Sequence, residues 1–361
     1  MLGEEEKKAV MEVLEKGRLT DASYQGGERV RELESKLRSL VGVKYAVAVN
    51  SGTAALQSSL AAIGIKGGDE VIVPSFTFVA TAGVVLALGA KPVFVDIGED
   101  YNIDPQLIVK AITKRTKALI PVHLYGYPAD MGEISEIASK HSLMVVEDAA
   151  ESLGAEYRGR QTGSLSDLGC FSMYGTKVAT SGEGGAVTTN NRELADKVRM
   201  IRNHGMVHGN DPRVLGYNFR MQEIPAAIGS VQLDKLKGFL QVRRRNADYL
   251  SERIANKEGV RLTQTAGDRT HAWYLYTLYL TKGRDAVVRR LNRAQIGAGA
   301  YFKVPVHKTP LYARLGYGRR VLRKTEDASK HVISLPVHPG VNQTEISRVA
   351  DEFLEALRIA S

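Results

Sequence analysis

Residues 45–56 read Tyr45-Ala-Val-Ala-Val-Asn-Ser-Gly-Thr-Ala-Ala-Leu56 and show the unit from which the fold is built. Their first half is a short, β-branched apolar run that predicts a buried strand, and their second half opens a helical pattern. Such runs alternate with longer helical segments from about residue 40 to residue 190. This alternation predicts an α/β fold with a mostly parallel seven-stranded sheet flanked by helices. The seven strands are expected at Tyr45–Val49, Glu70–Val73, Pro92–Val95, Ala118–Val122, Leu143–Glu147, Gly169–Met173 and Gly185–Thr189.

The pattern changes after Gly229, where a long amphipathic helix begins. An alternating aromatic run, Trp273–Tyr279, predicts a strand of a second sheet, and residues 345–359 predict a final amphipathic helix. We therefore expect two domains: a large domain over residues 1–240 and a smaller C-terminal α+β domain over residues 241–361. The N-terminal helix could pack on the small domain.

Composition excludes several functional classes. The chain has 361 residues, and 49 basic against 40 acidic side chains give a net charge of +9. The basic residues are scattered, apart from Arg243-Arg244-Arg245, which we interpret as a solvated helix face; we expect no nucleic-acid partner. The single cysteine, Cys170, excludes an internal disulfide or a cysteine-rich metal site, and we expect no metal. An acidic start and the lack of long apolar runs predict a cytoplasmic protein without membrane contact.

Lys177 stands out in the stretch Phe171-Ser-Met-Tyr-Gly-Thr-Lys177, which is followed by the glycine-dense turn Ser181-Gly-Glu-Gly-Gly185. A lysine at the end of an apolar strand and among small residues can be desolvated. Desolvation lowers the pKa of an amine and makes it a nucleophile that can form a Schiff base. An ordinary surface lysine remains the alternative at this point.

Asp148 ends the apolar run Leu143-Met-Val-Val-Glu-Asp148. Carboxyl ends of strands form the ligand-binding edge of open α/β sheets. The adjacent Glu147 and Asp148 should point to opposite faces of the strand, so they are not expected to act as an acid–base couple. A carboxylate at this edge can keep a pyridinium nitrogen protonated, although a helix N-cap aspartate would look the same.

Gly52 and Thr53 lie where the first strand gives way to a helix. A helix N-terminus with small residues in its first turn offers free N–H groups and partial positive charge to a phosphate. Ordinary capping would use the same residues. Together, however, a phosphate cradle, a pyridinium partner and a Schiff-base lysine are the three groups that pyridoxal 5′-phosphate (PLP) requires, and their joint occurrence predicts this cofactor.

The chain also resembles the DegT/StrS family of nucleotide-sugar aminotransferases over essentially its whole length. This resemblance implies the fold-type I architecture of PLP enzymes. The matching stretches are Gly17-Arg-Leu-Thr20, Asn50-Ser-Gly-Thr-Ala-Ala-Leu56, Pro74-Ser-Phe-Thr-Phe78, Val122-His-Leu-Tyr-Gly126, Glu147-Asp-Ala-Ala150, Thr176-Lys177, Gly182-Glu-Gly-Gly185 and Gly216-Tyr-Asn-Phe-Arg-Met-Gln-Glu223.

The resemblance also implies roles for individual residues. Lys177 would carry PLP covalently and Asp148 would pair with its ring nitrogen. Phe78 would stack on the ring, and Asn218 would reach the cofactor phosphate of a neighbouring subunit, which makes a homodimer with a shared active site the expected assembly. The phosphate would be held by Gly52, Thr53 and Ser172.

Two places depart from the family pattern. Glu151 stands where a glutamine or histidine often faces the phenolic oxygen of the cofactor, and a carboxylate there would repel that oxygen unless it were protonated or turned away. Residues 301–307 match a segment near the sugar-nucleotide only loosely. We therefore treat Tyr301 and His307 as candidate substrate-binding residues, with a buried structural histidine as the alternative for His307.

The resemblance implies a ping-pong transamination. An amino acid, L-glutamate by analogy, would leave its amino group on the cofactor as pyridoxamine phosphate (PMP), and a nucleotide-linked keto-sugar, such as an NDP-4-keto-6-deoxyhexose or a 3-keto analogue, would receive it. Lys177 argues against a dehydratase of the same fold, in which histidine replaces that lysine. An enzyme acting on a cyclitol or other ketone, and a non-catalytic regulatory homologue, remain the alternatives.

Overall fold

The architecture is taken from a computed structural model that describes residues 2–263 and 265–360. The strands are β1 (Tyr45–Val49), β2 (Glu70–Pro74), β3 (Lys91–Val95), β4 (Thr116–Leu119), β5 (Met144–Asp148), β6 (Glu156–Tyr157), β7 (Arg160–Gln161), β8 (Leu168–Ser172), β9 (Gly185–Thr189), β10 (Val260–Leu262), β11 (Tyr276–Leu280) and β12 (Val332–Leu335). The helices are α1 (Glu4–Lys16), α2 (Glu28–Val41), α3 (Gly52–Ala62), α4 (Val79–Ala87), α5 (Pro105–Ala111), α6 (Met131–His141), α7 (Arg192–Arg202), α8 (Glu223–Ile254), α9 (Arg284–Arg293), α10 (Pro310–Arg314), α11 (Arg323–His331) and α12 (Gln343–Ala360).

The main sheet has seven strands in the order β1-β9-β8-β5-β4-β2-β3. Strand β9 runs antiparallel to both of its neighbours, and all other pairs in the sheet are parallel. Each predicted run overlaps one of these strands. The predicted α/β fold with a mostly parallel seven-stranded sheet is therefore confirmed.

Helices cover both faces of this sheet, which explains why its strands are apolar throughout. On one face, α3, α4 and α7 pack on alternate strand residues such as Val47 and Val187. On the other face, α2 and the first half of α8 pack on residues such as Ala48 and Phe171, while α5 and α6 cover Leu119 and Val145. The result is three layers with two apolar interfaces.

The C-terminal part contains an antiparallel sheet of order β10-β11-β12, which packs against α9, α12 and the end of α8. Strand β11 confirms the predicted strand in the aromatic run, and α12 confirms the predicted last helix. The long helix α8 contributes Leu236 to the main core and Leu250 to the C-terminal core. The proposed division at residue 240 thus falls inside one helix, and it stays a prediction.

Helix α1 packs against α8, with Ala9 and Val13 next to Ala227 and an ion pair of 2.8 Å between Glu6 and Lys235. These contacts lie on the part of α8 that precedes residue 240. In the described ranges, no helix is long and apolar enough to cross a lipid bilayer.

Candidate active site

Side chains from separate segments meet at the carboxyl edge of the main sheet, around a cavity of about 430 Å³. Strands β5 and β8 end there, and helices α3 and α4 begin there, as expected for an open α/β sheet. The sequence predicts ten residues at the site, and the structure brings eight of them to this cavity. These eight are Gly52, Thr53, Phe78, Asp148, Glu151, Ser172, Lys177 and Tyr301.

Lys177 lies on the segment that links β8 to β9, where its N–H donates to the carbonyl oxygen of Tyr174 over 2.9 Å. Only 15% of its side chain is exposed, and Nζ lies 3.5 Å from Oε1 of Glu151 and 4.4 Å from the centre of the Tyr274 ring. The surface-lysine alternative is therefore excluded. The expected lowering of the lysine pKa is wrong for the protein without cofactor. Burial does lower the pKa of Lys177, but Glu151, Tyr274 and Asp148 outweigh it and leave that pKa raised.

Asp148 is the last residue of β5 and is 5% exposed. Its Oδ2 accepts a hydrogen bond of 2.8 Å from the Thr81 hydroxyl, which lies 3.0 Å from the Thr77 hydroxyl. Burial raises the pKa of Asp148, opposed by the bond from Thr81 and by the charge of Lys177. A buried carboxylate that lines a cavity is strongly stabilised by a cation placed next to it, which is the environment that a pyridinium nitrogen needs.

Glu147, the neighbour of Asp148, contacts a separate set of groups. It is fully buried and accepts hydrogen bonds from the N–H groups of Gly163 (2.6 Å) and Leu165 (2.8 Å). Nε2 of His123 lies 2.9 Å from the same carboxylate. This confirms that adjacent carboxylates on β5 face different surroundings, and Glu147 holds a loop rather than lining the cavity.

The start of α3 has the shape of a phosphate cradle. Ser51 caps the helix by accepting the N–H of Ala54 over 3.0 Å. The first N–H groups of a helix have no partner inside it, so those of Gly52 and Thr53 are available to a ligand. A Cβ on Gly52 would lie 2.8 Å from Cβ of Ser172, so only glycine allows the two segments to approach so closely. Backbone donors and a hydroxyl therefore converge where an anion fits.

Glu151 is not turned away from the cavity. Its Oε2 accepts the N–H of Tyr125 over 2.8 Å, and its Oε1 faces Lys177. Tyr125 has a φ of 60°, a left-handed conformation that is costly for a non-glycine residue and that aims this N–H at the carboxylate. Burial raises the pKa of Glu151, partly offset by the charge of Lys177.

Phe78 and Tyr301 lie at the rim of the cavity, where they are 63% and 44% exposed. Three further residues at the site were missed: Thr81, which binds Asp148, and Thr176 and Tyr274, whose hydroxyls lie 3.1 Å apart beside Lys177. Thr77 precedes α4 and Thr81 lies in its first turn, and their hydroxyls lie 3.0 Å apart. Their spacing of four residues is the only signal in the sequence for this pair. Tyr274 comes from the C-terminal part, and no local pattern connects it with Lys177.

Two predicted residues lie outside the cavity. Asn218 is exposed on the segment that precedes α8. His307 is fully buried, with Nδ1 2.6 Å from the hydroxyl of Ser75 and Nε2 3.3 Å from Glu326. This placement favours the structural alternative for His307 over direct substrate contact.

The interpretation of the arginine triplet as a solvated helix face needs correction. Arg244 and Arg245 are exposed, but Arg243 is only 4% exposed. Its Nη1 donates to the carbonyl oxygens of Trp273 (2.9 Å) and Tyr274 (3.1 Å). The triplet spans more than half a helical turn, so one of its members points inward.

A buried lysine, a buried carboxylate and a phosphate cradle thus line one cavity, and these residues fit PLP. The fold and the site together define a PLP-dependent aminotransferase. A family model described as the DegT/DnrJ/EryC1/StrS aminotransferase family matches residues 1–354, and the chain belongs to that family.

Several known proteins are similar to this chain over nearly its whole length. GDP-perosamine synthase of Caulobacter vibrioides is 41% identical over 336 residues, which cover 90% of this chain and 88% of that protein. The dTDP-3-amino-3,4,6-trideoxy-alpha-D-glucose transaminase of Streptomyces venezuelae is 40% identical, with 96% and 90% coverage. The crystal structure of S. venezuelae DesV in complex with a ketimine intermediate superposes with a TM-score of 0.93 at 38% identity, over 97% of this chain and 94% of that one.

Proposed function

We propose that the enzyme transfers the amino group of an amino acid, L-glutamate in the first instance, to a nucleotide-linked keto-sugar. One observation carries this proposal: Lys177, Asp148 and the Gly52–Ser172 cradle line a single cavity in a chain whose relatives are named for amination of nucleotide-sugars. An NDP-4-keto-6-deoxyhexose or its 3-keto analogue is the proposed acceptor. A cyclitol or another ketone is the alternative acceptor, because the same cavity chemistry would serve it.

Each residue of the cavity has a task in this reaction. PLP, when bound, supplies the electron sink that makes the α-proton of an amino acid removable. Lys177 would tether the cofactor and then use its freed amine to move the proton between the substrate carbon and Nζ. Asp148, oriented by Thr81, would hold the proton of the ring nitrogen. The N–H groups of Gly52 and Thr53, with the hydroxyl of Ser172, would hold the phosphate.

Lys177 would serve both as the tether of the cofactor and as the proton carrier, and this double use determines the order of events. Lys177 could not act as a base while it tethered the cofactor, so the amino donor would have to free its amine before a proton could move. Glu151 and Tyr274 stabilise the ammonium form of Lys177, in which it would return the proton to the sugar carbon in the second half-reaction. The rim residues Phe78 and Tyr301 would cover the reacting groups from solvent.

A homodimer with a shared active site is part of the proposal. Asn218 does not line the cavity of its own chain, so its proposed phosphate contact requires the cavity of a neighbour. An exposed apolar side chain lies close by in sequence: Leu215, 78% exposed, precedes Asn218 by three residues. We place the reaction in the cytoplasm, in keeping with the free, buried Cys170.

Absorption spectroscopy on the purified enzyme tests the proposal. Protein incubated with PLP should be yellow, and borohydride should trap the cofactor on Lys177. Addition of L-glutamate should change the absorption spectrum to that of the PMP form. Subsequent addition of GDP-, dTDP- and UDP-linked keto-sugars should restore the PLP spectrum with one of them. A holoenzyme that forms PMP but aminates cyclitol ketones, and none of the nucleotide-sugars, would refute the proposed acceptor.

A further inference from the structure

A second, larger cavity of about 800 Å³ adjoins the first, because Thr176, Lys177, Tyr274 and Tyr301 line both. The rest of its wall includes residues of α8, of the segment after β12 and of α12, together with residues 295–297 after α9 and residues of the segment 175–182 between β8 and β9. A substrate that reacts at Lys177 can therefore extend into this second cavity.

Arg243 is in the wall of this second cavity. Both of its hydrogen bonds come from Nη1, which donates to Trp273 and Tyr274. Its Nε is buried and has no hydrogen-bond partner. Across residues 2–263 and 265–360, no carboxylate lies within salt-bridge distance of this guanidinium. A buried arginine is ordinarily paired with an anion, because an unpaired charge away from water is costly.

The charges around the cavity favour an anionic occupant. Among the described residues, three cationic side chains and one carboxylate line this cavity: Lys177, Arg243, Arg348 and Glu345. That carboxylate is engaged at the start of α12, where it accepts the N–H of Asn342 over 2.7 Å. Desolvation lowers the pKa of Arg243 to about 10, so its guanidinium still carries a charge at neutral pH.

A single residue connects Arg243 to the reacting lysine. The carbonyl oxygen of Tyr274 accepts from Arg243 over 3.1 Å, while the ring of Tyr274 lies 4.4 Å from Nζ of Lys177. The guanidinium uses Nη1 to fix itself to this residue, so within the part of the chain that the structure describes its Nε and Nη2 groups remain as donors without a protein hydrogen bond. In arginine generally, these two groups form an edge that can bind an oxyanion in bidentate fashion.

We propose that Arg243 is a substrate-binding residue whose guanidinium holds an oxyanion of a substrate that reacts at Lys177. The oxyanion is a carboxylate of the amino donor or a phosphate of the nucleotide-sugar, and this inference rests on the proposed function. The competing explanation is that Arg243 only fastens α8 to residues 273–274.

Half-reaction kinetics on the PLP-loaded enzyme separate these explanations. Arg243→Gln should raise the half-saturating concentration of one substrate about tenfold or more and leave that of the other within about twofold. A rise for L-glutamate identifies the donor carboxylate, and a rise for the keto-sugar identifies the phosphate. Arg243→Lys should give an intermediate value. Arg244→Gln, which removes a charge from the exposed neighbouring position, is the matched control and should behave as the wild type.

A binding measurement without turnover completes the test. Trp273 is the only tryptophan of the chain and its carbonyl oxygen is bound by Arg243, so its fluorescence should report on the site. Titration of the cofactor-free protein with 2-oxoglutarate, and separately with a nucleoside diphosphate, should show saturable binding of one probe that is lost in Arg243→Gln. This binding measurement remains informative even if the enzyme turns over no keto-sugar. A lack of turnover would contradict the proposed function and not the role of Arg243.

Two outcomes would overturn the inference. In one, Arg243→Gln binds both probes as Arg244→Gln does, and both half-saturating concentrations are unchanged. In the other, both concentrations rise equally and the melting temperature falls, as expected for a fastening residue whose loss distorts the whole site. Comparison with Arg243→Lys keeps the test informative if Arg243→Gln folds poorly.

Discussion

Oε1 of Glu151 lies 3.5 Å from Nζ of Lys177, and only 11% and 15% of these two side chains are exposed. The other carboxylate oxygen of Glu151 is fixed by the N–H of Tyr125, so the acid cannot easily swing away from the lysine. Its negative charge raises the pKa of Lys177 against the opposing effect of burial. Since only a neutral amine attacks an aldehyde, this contact should slow the addition of PLP to the protein.

Glu151→Gln should therefore accelerate PLP addition. The amide oxygen can still accept the N–H of Tyr125, so the change removes charge while keeping that hydrogen bond. Without the carboxylate the pKa of Lys177 falls, and a larger fraction of the amine is neutral at any pH below that pKa. We expect PLP addition to cofactor-free protein at pH 7–8 to become about threefold to tenfold faster, measured by stopped-flow absorption.

The pH profile provides the control for this prediction. The midpoint of the rate increase with pH should move to lower pH in Glu151→Gln. Glu183, an exposed residue that also lines the cavity, offers a matched charge removal, and Glu183→Gln should leave the midpoint in place. An unchanged midpoint in Glu151→Gln would mean that Glu151 is already protonated when PLP binds.

Lys177→Ala tests the double role of the lysine as tether and proton carrier. The variant should lose borohydride-trappable cofactor and should lose transamination by a factor on the order of 1,000 or more. It should still bind PMP through Asp148 and the cradle at Gly52, which equilibrium dialysis would measure. Amination in a single turnover by the PMP-loaded variant at the wild-type rate would remove Lys177 from proton transfer.

Asp148→Asn should separate catalysis from stability. Burial raises the pKa of Asp148 in the folded, cofactor-free protein, so the folded state binds this proton more tightly than the unfolded state. The ionised carboxylate therefore lowers the free energy of unfolding. This loss is complete at pH values above the pKa of Asp148 in the folded protein, and it disappears below the pKa of the same group in the unfolded chain. Asparagine avoids this loss, since its amide can donate to the Thr81 hydroxyl, while its oxygen can accept the N–H of Ala150, which in the wild type donates to Oδ1 of Asp148 over 3.3 Å. Transamination should fall on the order of 100-fold or more, because the ring nitrogen loses its partner.

Differential scanning fluorimetry of the cofactor-free proteins checks the second half of this prediction. The melting temperature of Asp148→Asn should exceed that of the wild type by about 1–3 °C at pH 8, and the difference should shrink towards pH 4. A variant that melts below the wild type at pH 8 would show that hydrogen bonds to the carboxylate outweigh its burial.

Features that depend on the local order of strands and helices could be predicted from the sequence. The strands and the residues placed directly at their ends, such as Gly52 and Asp148, follow from local patterns, because the ends of parallel strands meet at one edge. Contacts between distant segments carry no such local pattern. The contact of Tyr274 with Lys177, and the buried position of Arg243 in a charged triplet, depend on how the C-terminal part packs against the large sheet. The left-handed Tyr125, whose N–H fixes Glu151, was equally invisible, because tyrosine has no preference for that conformation.

Gly52→Ala tests the phosphate cradle. The added Cβ would lie 2.8 Å from Cβ of Ser172 and would force α3 and β8 apart, so the N–H donors and the hydroxyl could no longer converge. We expect the Kd for PLP to rise about 10-fold to 100-fold by equilibrium dialysis, whereas pyridoxal, which lacks the phosphate, should bind equally to both proteins. Gly238→Ala is the matched control, since nothing lies within 4 Å of a Cβ at that position of α8 and alanine favours a helix. If the affinity for pyridoxal falls as much as that for PLP, the substitution has disturbed the lysine and not the phosphate site.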